Sequence, residues 1–319
     1  MNWQASCELE AIQARATLNE KIRAFFQARQ VLEVETPLIG EPVTDVFIES
    51  FSVYFPSSSE PSKLHGFLQS SPEYYLKRLL ASGAGDIYQL GKVFRAEESG
   101  RFHSGEFTML EWYRVGWSLA QLINEVLALL DTVGLGAQEA QHFRYDELFK
   151  QFAQLDLSTS SLSALQARCQ PWLANDTGAL DRDSCLDLIM THEVEPKLSD
   201  ISIAVVTDFP ASQAALAKID PERQTACRFE VYVNGVELAN GYDELQDAQQ
   251  LRARFEQNLK KREQTQKVAL PMPEALLAAL PHMPACVGVA LGVDRLLMAL
   301  TQKAHIQDVL SFSHYLNEY

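Results

Sequence analysis

The sequence has few cysteines, and none lies in a pattern that binds a metal or forms a disulfide framework. The five cysteines of the 319-residue chain are an odd number without a CxxC pair. Disulfide-stapled domains carry an even, closely spaced set, and structural zinc sites need paired ligands. We therefore expect reduced thiols in a cytoplasmic protein. The cysteines are Cys7, Cys169, Cys185, Cys227 and Cys286.

Positive charge and long apolar runs are also scarce. The chain has 27 Lys and Arg against 42 Asp and Glu, a net charge of -15. Because nucleic-acid binding draws on clustered positive charge, this balance disfavours tRNA as a partner. No apolar run approaches the length that spans a membrane, and charged residues interrupt the N-terminal segment where a signal peptide would be apolar. We expect neither a membrane nor a tRNA partner.

The composition is otherwise that of a globular protein. Hydrophobic residues make up 47% of the chain and charged residues 22%, which is enough for a large core. A chain of this length can share one elaborated core. Residues from about 134 to 226 mix short helical and loop signals. We therefore predict a single catalytic domain over residues 1–319 with an insertion at about 134–226.

Two hairpin patterns dominate the rest of the chain. Residues 86–97 alternate as a strand, residues 99–105 are polar, and residues 106–115 alternate again, which predicts a hairpin with a long tip. A second hairpin, residues 229–239, surrounds Asn234-Gly235, a dipeptide typical of two-residue type I′ turns. Hairpins flanked by helical patterns, without a glycine-rich phosphate loop, favour an α+β fold with an antiparallel β-sheet flanked by helices.

The first hairpin carries residues that suit a nucleotide. Strand parity predicts that Arg95 and Glu97 share a face, and Phe107 lies on the return strand. Arg95 would hold a phosphate, Glu97 would accept from an exocyclic amine, and Phe107 would stack on a base. His103 on the tip would reach a terminal phosphate. The alternative is a solvated strand face with an ordinary salt bridge, which is the commoner role for any one of these residues.

The second hairpin carries two acids whose positions follow from the turn. With the turn at residues 234–235, Tyr232 faces Glu237 and Glu230 faces Ala239, so the two glutamates share a face. Two carboxylates held close together are costly unless a cation lies between them, and oxygen ligands suit Mg²⁺ that arrives with phosphates. A solvated face without a metal is equally compatible with this pattern.

Residues 288–295, GVALGVDR, place small residues and an arginine where a strand meets a helix. Backbone without side chains lets a ligand approach closely, and Arg295 would reach a phosphate. Asp294 is a plausible helix cap. Glu73 and Glu244 lie near predicted helix starts, where a favourable interaction with the helix dipole would explain them equally well.

Taken in order, these segments resemble the three signature motifs of class II aminoacyl-tRNA synthetases, most closely those of the lysyl type. Motif 1 resembles the strand at residues 31–37 with its preceding helix, motif 2 is FRAEESGRFHSGEFTMLEWY at 94–113, and motif 3 is GVALGVDR. SPEYYLKRL at 71–79 and VELANGYDEL at 236–245 are similar to lysyl-specific segments. The resemblance implies the class II catalytic fold and, through motif 1, a homodimer. Packing of the long N-terminal helix on its own core is the alternative to dimerisation.

One element of the lysyl-tRNA synthetases is not expected here. They place an anticodon-binding domain before motif 1, whereas motif 1 begins at Val31 in this chain. The chain is accordingly identified as a member of the bacterial lysyl-tRNA synthetase paralogues that attach a lysine-type residue to a lysine of translation elongation factor P. The resemblance implies ATP, Mg²⁺ and either lysine or, in preference, (R)-β-lysine as substrate. A truncated synthetase that charges tRNA and a non-catalytic amino-acid sensor are the alternatives.

Two departures from the lysyl-tRNA synthetase pattern fall at the amino-acid end of the pocket. Ala290 stands where those enzymes have a glycine, and Ser71 stands where they usually have alanine. An added methyl group at Ala290 would crowd an α-amino group, and Ser71 adds a polar partner. Both changes are compatible with a displaced amine, as in (R)-β-lysine.

The resemblance also implies a role for each site residue. Arg95 and Arg295 would be the catalytic groups that clamp phosphates, and Glu230 and Glu237 would hold Mg²⁺ while the substrate carboxylate attacks the α-phosphorus. The expected ATP contacts are Arg95, Glu97, His103, Ser104, Phe107, Glu237, Leu238, Gly292 and Arg295. The expected amino-acid contacts are Ser71, Glu73, Tyr113, Asn240, Glu244 and Ala290.

Overall fold

The structure is a computed structural model that describes residues 3–42, 45, 48–54, 63–173 and 180–313. The chain divides into two compact units, residues 1–135 with 244–319, and residues 136–243. Compactness is not independent folding, so the single domain with an insertion at about 134–226 stays a prediction. Among the described residues, no helix is long and apolar enough to cross a membrane.

The first unit carries a mostly antiparallel sheet with helices, as the sequence predicted. Numbered along the whole chain, its strands are β1 (Leu32–Glu33), β2 (Ile39–Gly40), β3 (Ser52–Tyr54), β4 (Leu64–Leu68), β5 (Ile87–Phe94), β6 (Glu106–Val115) and β12 (Cys286–Gly292). Its helices are α1 (Leu9–Ala28), α2 (Glu73–Ala81), α3 (Leu119–Val133), α8 (Ala248–Gln264), α9 (Glu274–Ala279) and α10 (Val293–Thr301). The main sheet runs β1-β5-β6-β12, with only β1 parallel to its neighbour, and a small sheet runs β2-β4-β3.

Helix α1 anchors the core of this unit. Its apolar residues recur at helical spacing and bury Phe26, whose ring stacks on Tyr88 with centroids 4.4 Å apart and meets Trp112 edge-on at 5.4 Å. The strand predicted at residues 31–37 is reduced to the two-residue β1, because only its first residues pair with β5.

The first hairpin forms as predicted, but its outgoing strand is shorter. Strand β5 ends at Phe94, and Glu97 adopts a left-handed backbone with φ of 66°. The prediction that strand parity places Glu97 beside Arg95 is therefore wrong, because alternation of side chains requires an extended backbone. Within the paired region, Gln89 lies opposite Glu111.

The second unit has its own sheet and core. Its strands are β7 (Gln141–Arg144), β8 (Ile203–Pro210), β9 (Ile219–Asp220), β10 (Thr225–Val233) and β11 (Val236–Asp243), and its helices are α4 (Tyr145–Leu148), α5 (Leu162–Cys169), α6 (Arg182–Ile189) and α7 (Glu195–Leu198). The strands run β11-β10-β8-β7, with β9 beside β10 and β7 parallel to β8. Tyr145, Phe149 and Phe209 lie in its buried cluster.

The turn between β10 and β11 has the predicted chemistry. Asn234 and Gly235 have φ of 49° and 78°, so both central residues are left-handed, as a type I′ turn requires. A Cβ atom at position 235 would lie 2.6 Å from the Glu195 carbonyl oxygen, so a side chain would clash there. The glycine is needed for both its conformation and its close approach.

The register beyond this turn differs from the prediction. Tyr232 faces Glu237 as expected, but Glu230 faces Asn240, and the prediction that Glu230 faces Ala239 is wrong. A β-bulge at position 238 places one extra residue in β11, which shifts the pairing by one. Glu230 and Glu237 still share a face, and the bulge brings Asn240 onto that face instead of Ala239.

Candidate active site

The floor of the candidate amino-acid pocket is Glu111 on β6. Its side chain is buried, its Oε2 accepts a hydrogen bond from Ser71 Oγ at 2.9 Å, and its Oε1 accepts one from Tyr113 OH at 2.8 Å. Burial raises the pKa of Glu111 to about 8, and the Glu73 and Glu244 carboxylates add to the rise, although the two hydrogen bonds oppose it. Glu111 is therefore mostly protonated at neutral pH in the ligand-free protein.

Two further acids meet at Lys77. The Lys77 Nζ atom lies 2.7 Å from Glu73 Oε1, one turn earlier on α2, and 2.6 Å from Glu244 Oε2. The side chains of Lys77 and Glu244 are each 1% exposed. Burial alone would lower the pKa of Lys77, but the two carboxylates outweigh it and hold the pKa above its ordinary value. Lys77 is therefore a permanent buried cation.

Strand β12 forms the adjoining wall. Gly288 lies opposite Tyr113, and Ala290 lies opposite Glu111. A Cβ atom at position 288 would be 2.4 Å from the Tyr113 ring and 2.5 Å from Glu244 Oε1. Only glycine lets these two groups approach the strand, whereas the Ala290 methyl group stands on the same face as Glu111.

Two buried oxygens beside the floor have no hydrogen-bond partner among the described residues. They are Ser70 Oγ, next to Ser71 in the chain, and Gln89 Oε1, on the strand position opposite Glu111. Leaving a buried acceptor unpaired costs about 1–3 kcal/mol. Such atoms are typical of a site where a polar ligand completes the hydrogen bonds.

Motif 2 forms the candidate nucleotide end of the same unit. The Arg95 guanidinium lies over the Phe107 ring, 5.2 Å from its centroid. Arg95 Nε donates to the Ser70 carbonyl oxygen at 3.3 Å, and Nη1 contacts Glu98 at 3.4 Å. Glu98, rather than the predicted neighbour Glu97, is thus the acid beside this arginine. Glu97 is exposed and Ser104 is half-buried on the hairpin tip.

Arg295 and His103 meet at the start of α10. Arg295 Nη2 lies 2.7 Å from His103 Nε2, and Arg295 Nε donates to the Phe102 carbonyl oxygen at 3.2 Å. Packing around the imidazole and the neighbouring Arg295 charge lower the pKa of His103, so the ring is neutral and can accept from the guanidinium. Gly292 immediately precedes the helix.

The prediction that Asp294 caps this helix is wrong. Helix α10 begins at Val293, before Asp294, and the Asp294 side chain is buried. Its carboxylate accepts from the Thr108 backbone N–H at 2.6 Å and forms an ion pair with Arg15. The acid therefore ties motif 3 to β6 and α1.

The second unit holds the predicted metal ligands. Glu230 is buried and accepts hydrogen bonds from Arg228 Nη2 and, at 2.6 Å, from Tyr232 OH. Burial raises the pKa of Glu230, Arg228 opposes the rise, and the Glu237 charge adds to it. On the same face, Asn240 Oδ1 is buried and has no hydrogen-bond partner among the described residues. Leu238, at the bulge, is buried.

These residues fit Mg²⁺ as a partial ligand set. A carboxylate that accepts two hydrogen bonds keeps lone pairs for a metal, and the unpaired amide oxygen of Asn240 is a further hard donor. Across the described ranges, no group of three or more His, Cys, Asp or Glu side chains could hold a metal ion. Phosphate oxygens and water would have to complete the coordination.

The structure thus groups the sequence-predicted residues in three places. Sequence reasoning missed Glu111 and Lys77 as pocket residues. Both signals were present, because Glu111 shares a strand face with Tyr113 and Lys77 lies four residues after Glu73. The three groups of predicted residues are Ser71, Glu73, Tyr113, Glu244 and Ala290 around Glu111 and Lys77, which we call the acid pocket; Arg95, Phe107, His103 and Arg295 around motif 2; and Glu230, Glu237, Leu238 and Asn240 in the second unit.

Residues 3–315 match the family described as tRNA synthetases class II (D, K and N). Similar proteins are named elongation factor P–(R)-β-lysine ligase. That of Pectobacterium carotovorum is 43% identical over 317 residues, covering 98% of this chain and 97% of its own. That of Vibrio parahaemolyticus is 43% identical over 318 residues, 98% of both chains. That of Pseudoalteromonas translucida is 42% identical over 318 residues, 97% of both.

Proposed function

The chain belongs to the class II tRNA synthetase family and, within it, to the elongation factor P–(R)-β-lysine ligases, and we propose that the acid pocket binds both amino groups of the substrate. The protein is an ATP-dependent ligase that activates (R)-β-lysine and transfers it to elongation factor P. The acids of the pocket support the choice of a diamino acid, and motif 2 would be the place where its carboxylate is activated.

One relationship carries this proposal. Arg95 donates to the Ser70 carbonyl oxygen, and the next residue, Ser71, donates to Glu111. A single peptide unit therefore joins the motif 2 arginine to the floor of the acid pocket. An amino acid whose amines lie among the glutamates would present its carboxylate towards Arg95.

The pocket chemistry suits a doubly cationic ligand. Moving an ammonium group out of water is costly unless acids replace its hydration shell. Glu111, Glu73 and Glu244 supply those acids, and Tyr113 and Ser71 hold the Glu111 carboxyl group in place. The Ala290 methyl group occupies space beside Glu111, which favours an amine displaced from the α position.

The reaction is two displacements. The substrate carboxylate attacks the α-phosphorus of ATP, a phosphorus–oxygen bond forms, and pyrophosphate leaves with the electrons of the bond that breaks. A lysine ε-amine of elongation factor P then attacks the carbonyl carbon, AMP leaves, and the amine loses a proton. Arg95 and Arg295 would stabilise phosphate charge, Phe107 would stack on adenine, and Glu97, His103, Ser104 and Gly292 would complete the nucleotide contacts.

The acids of the second unit would bind the metal. Glu230 and Glu237 would hold Mg²⁺, which offsets negative phosphate charge when bound. Arg228 and Tyr232 fix the Glu230 carboxylate in one orientation. Leu238 would line the nucleotide, and Asn240 would contact the amino acid. We further propose a homodimer through α1 and a cytoplasmic enzyme, since its acceptor is a translation factor.

The test is intact-mass analysis of purified elongation factor P after incubation with the enzyme, ATP and each lysine isomer. We expect a mass increase of one β-lysyl residue with (R)-β-lysine, and the same change in weaker yield with α-lysine. Arg95→Ala should remove it, whereas Arg101→Ala, an exposed arginine on the same hairpin tip, should retain it. Amino-acid-dependent ATP–pyrophosphate exchange with an unmodified factor, or efficient charging of tRNA, would reject the protein acceptor.

A further inference from the structure

We propose that Lys77 is a specificity-determining residue: its ammonium, fixed between Glu73 and Glu244, cancels one of three pocket carboxylates and leaves a charge that matches a substrate with two amino groups. The inference rests on the proposed function, because it concerns the amino-acid pocket. It goes further by giving the pocket a fixed charge and a proton that leaves when the substrate binds.

The net charge of the pocket indicates how many amino groups the substrate carries. Glu73, Glu111 and Glu244 together with Lys77 give a net charge of two negative when all four are ionised. A buried site tolerates little unbalanced charge, since a buried ion without a partner is strongly destabilising. Two ammonium groups balance the pocket, whereas one leaves a buried negative charge.

Lys77 can keep this role because it cannot leave the cluster. Its side chain is 1% exposed, and its Nζ lies within 2.7 Å of one carboxylate on its own helix and 2.6 Å of another from Glu244. Glu244 is fixed in turn by its backbone N–H, which donates to the Cys286 carbonyl oxygen. The cation is therefore part of the pocket before any substrate arrives.

Glu111 supplies the proton. The charged and titratable groups that act on it are Glu73 from α2, Glu244, and Tyr113 on its own strand, and Lys77 pairs with both Glu73 and Glu244. The residues opposite it in β5 and β12, Gln89 and Ala290, are uncharged. Without substrate, these surroundings favour the neutral carboxyl group. A second ammonium beside Glu111 reverses that balance, so the carboxyl proton passes to solvent as the diamino acid binds.

Removing the Lys77 charge should change the pH range over which Glu111 holds its proton. Lys77→Met leaves the pocket with one more negative charge, which holds the proton on Glu111 to higher pH. Lys77 neutralises charge on Glu73 and Glu244, the two carboxylates that raise the pKa of Glu111, and a nearby charge typically changes a carboxyl pKa by about 1–3 units. Lys77→Arg keeps the charge and should behave like the wild type. A residue that only supported the fold would change the melting temperature without moving proton release.

The experiment is calorimetric titration of the intact enzyme with (R)-β-lysine between pH 6.5 and 9, in buffers of different ionisation enthalpy. We expect release of about one proton at pH 7 and progressively less above pH 8 in the wild type and in Lys92→Met, an exposed control. In Lys77→Met, the pH of half-maximal release should rise by about one unit or more. 6-Aminohexanoic acid, which lacks the second amine, should bind about 100-fold more weakly and release no proton.

Binding of (R)-β-lysine without proton release in the wild type would overturn this inference and leave the proposed function standing. The same conclusion would follow if Lys77→Met folded and released its proton over the wild-type pH range. If Lys77→Met does not fold, the wild-type proton count and the 6-aminohexanoic acid comparison decide the matter. Absence of binding by either lysine isomer would instead reject the proposed function.

Discussion

Ala290 lies directly opposite Glu111 in the antiparallel register of β12 and β6. Side chains of such a pair stand on the same face of the sheet, with their Cβ atoms about 5 Å apart. The extra methyl group at position 290 therefore borders the group that would hold a substrate amine. The register thus supplies a physical basis for discrimination between amines at the α and β positions.

We expect Ala290→Gly to shift amino-acid selectivity towards α-lysine. Removing the methyl group opens space beside Glu111, and one such group is worth about 10-fold in discrimination. ATP–pyrophosphate exchange with each isomer should show the ratio of kcat/KM for α-lysine to that for (R)-β-lysine rising by about this factor. An unchanged ratio would exclude Ala290 as the source of isomer selectivity.

An added methyl group at position 288, the next position on the same face of β12, should close the pocket. In Gly288→Ala, the new Cβ would meet the Tyr113 ring and Glu244 Oε1 at about 2.5 Å. Because these groups are held by the acid cluster, we expect KM for the amino acid to rise at least about 10-fold while KM for ATP changes little. Equal changes in both KM values would indicate general misfolding, which a lowered melting temperature would reveal.

Arg95→Ala should abolish most adenylation. The Arg95 guanidinium lies over the Phe107 ring, where it would contact the phosphates of ATP. Loss of one group that stabilises charge in the transition state costs about 100- to 1,000-fold in kcat. Exchange assays should show this loss with an unchanged circular dichroism spectrum. Arg101→Ala carries the same truncation on the same hairpin tip and should stay within about 2-fold of the wild type. Activity of Arg95→Ala at that level would refute the motif 2 assignment.

Glu111 should make stability depend on pH. Its folded-state pKa is about 8 against an ordinary value of 4.5, so between these values the folded protein holds a proton that the unfolded chain has lost. The free energy of unfolding therefore falls as pH rises through this window and levels off above it. Denaturant unfolding from pH 5 to 9 should show a shallower fall in Glu111→Gln. Parallel curves would mean that Glu111 is ionised throughout.

Glu230→Gln should raise the Mg²⁺ concentration needed for exchange. Removing one charge from the Glu230–Glu237 pair weakens a cation site by at least about 10-fold. A magnesium titration of exchange activity would measure the shift. Glu222→Gln, an exposed acid in the same unit, is the matched control. Identical magnesium curves for all three proteins would place the metal on other ligands.

Local signals in the sequence predicted the elements that carry the site. Helical spacing predicted α1, alternation predicted both hairpins, and Asn234-Gly235 predicted a turn whose two residues are left-handed. These features depend on side chains close in sequence, so they can be read without the fold. Each motif is equally local, and their order along the chain led to the family.

Tertiary contacts decided the positions of other predicted residues. The bulge at position 238 carries Asn240 onto the face of Glu230, and the turn alone would have placed Ala239 there. Asp294 was predicted as a cap but pairs with Arg15, 279 residues away in the chain. Register shifts and distant ion pairs depend on what packs against a strand, which periodicity does not contain.

The residues of the proposed acid pocket were likewise predicted in part from the sequence and revealed in part by the structure. The sequence by itself predicted two of its acids, Glu73 and Glu244, because both lie in segments similar to lysyl-specific ones, and it predicted Tyr113 as the last residue of motif 2. Only the tertiary structure decided that Glu111 and Lys77 join them, since a carboxyl group on β6 and an ammonium on α2 acquire their charge states from burial and from the carboxylates of Glu73 and Glu244. The residues of the pocket are encoded locally, but its net charge is a property of the fold.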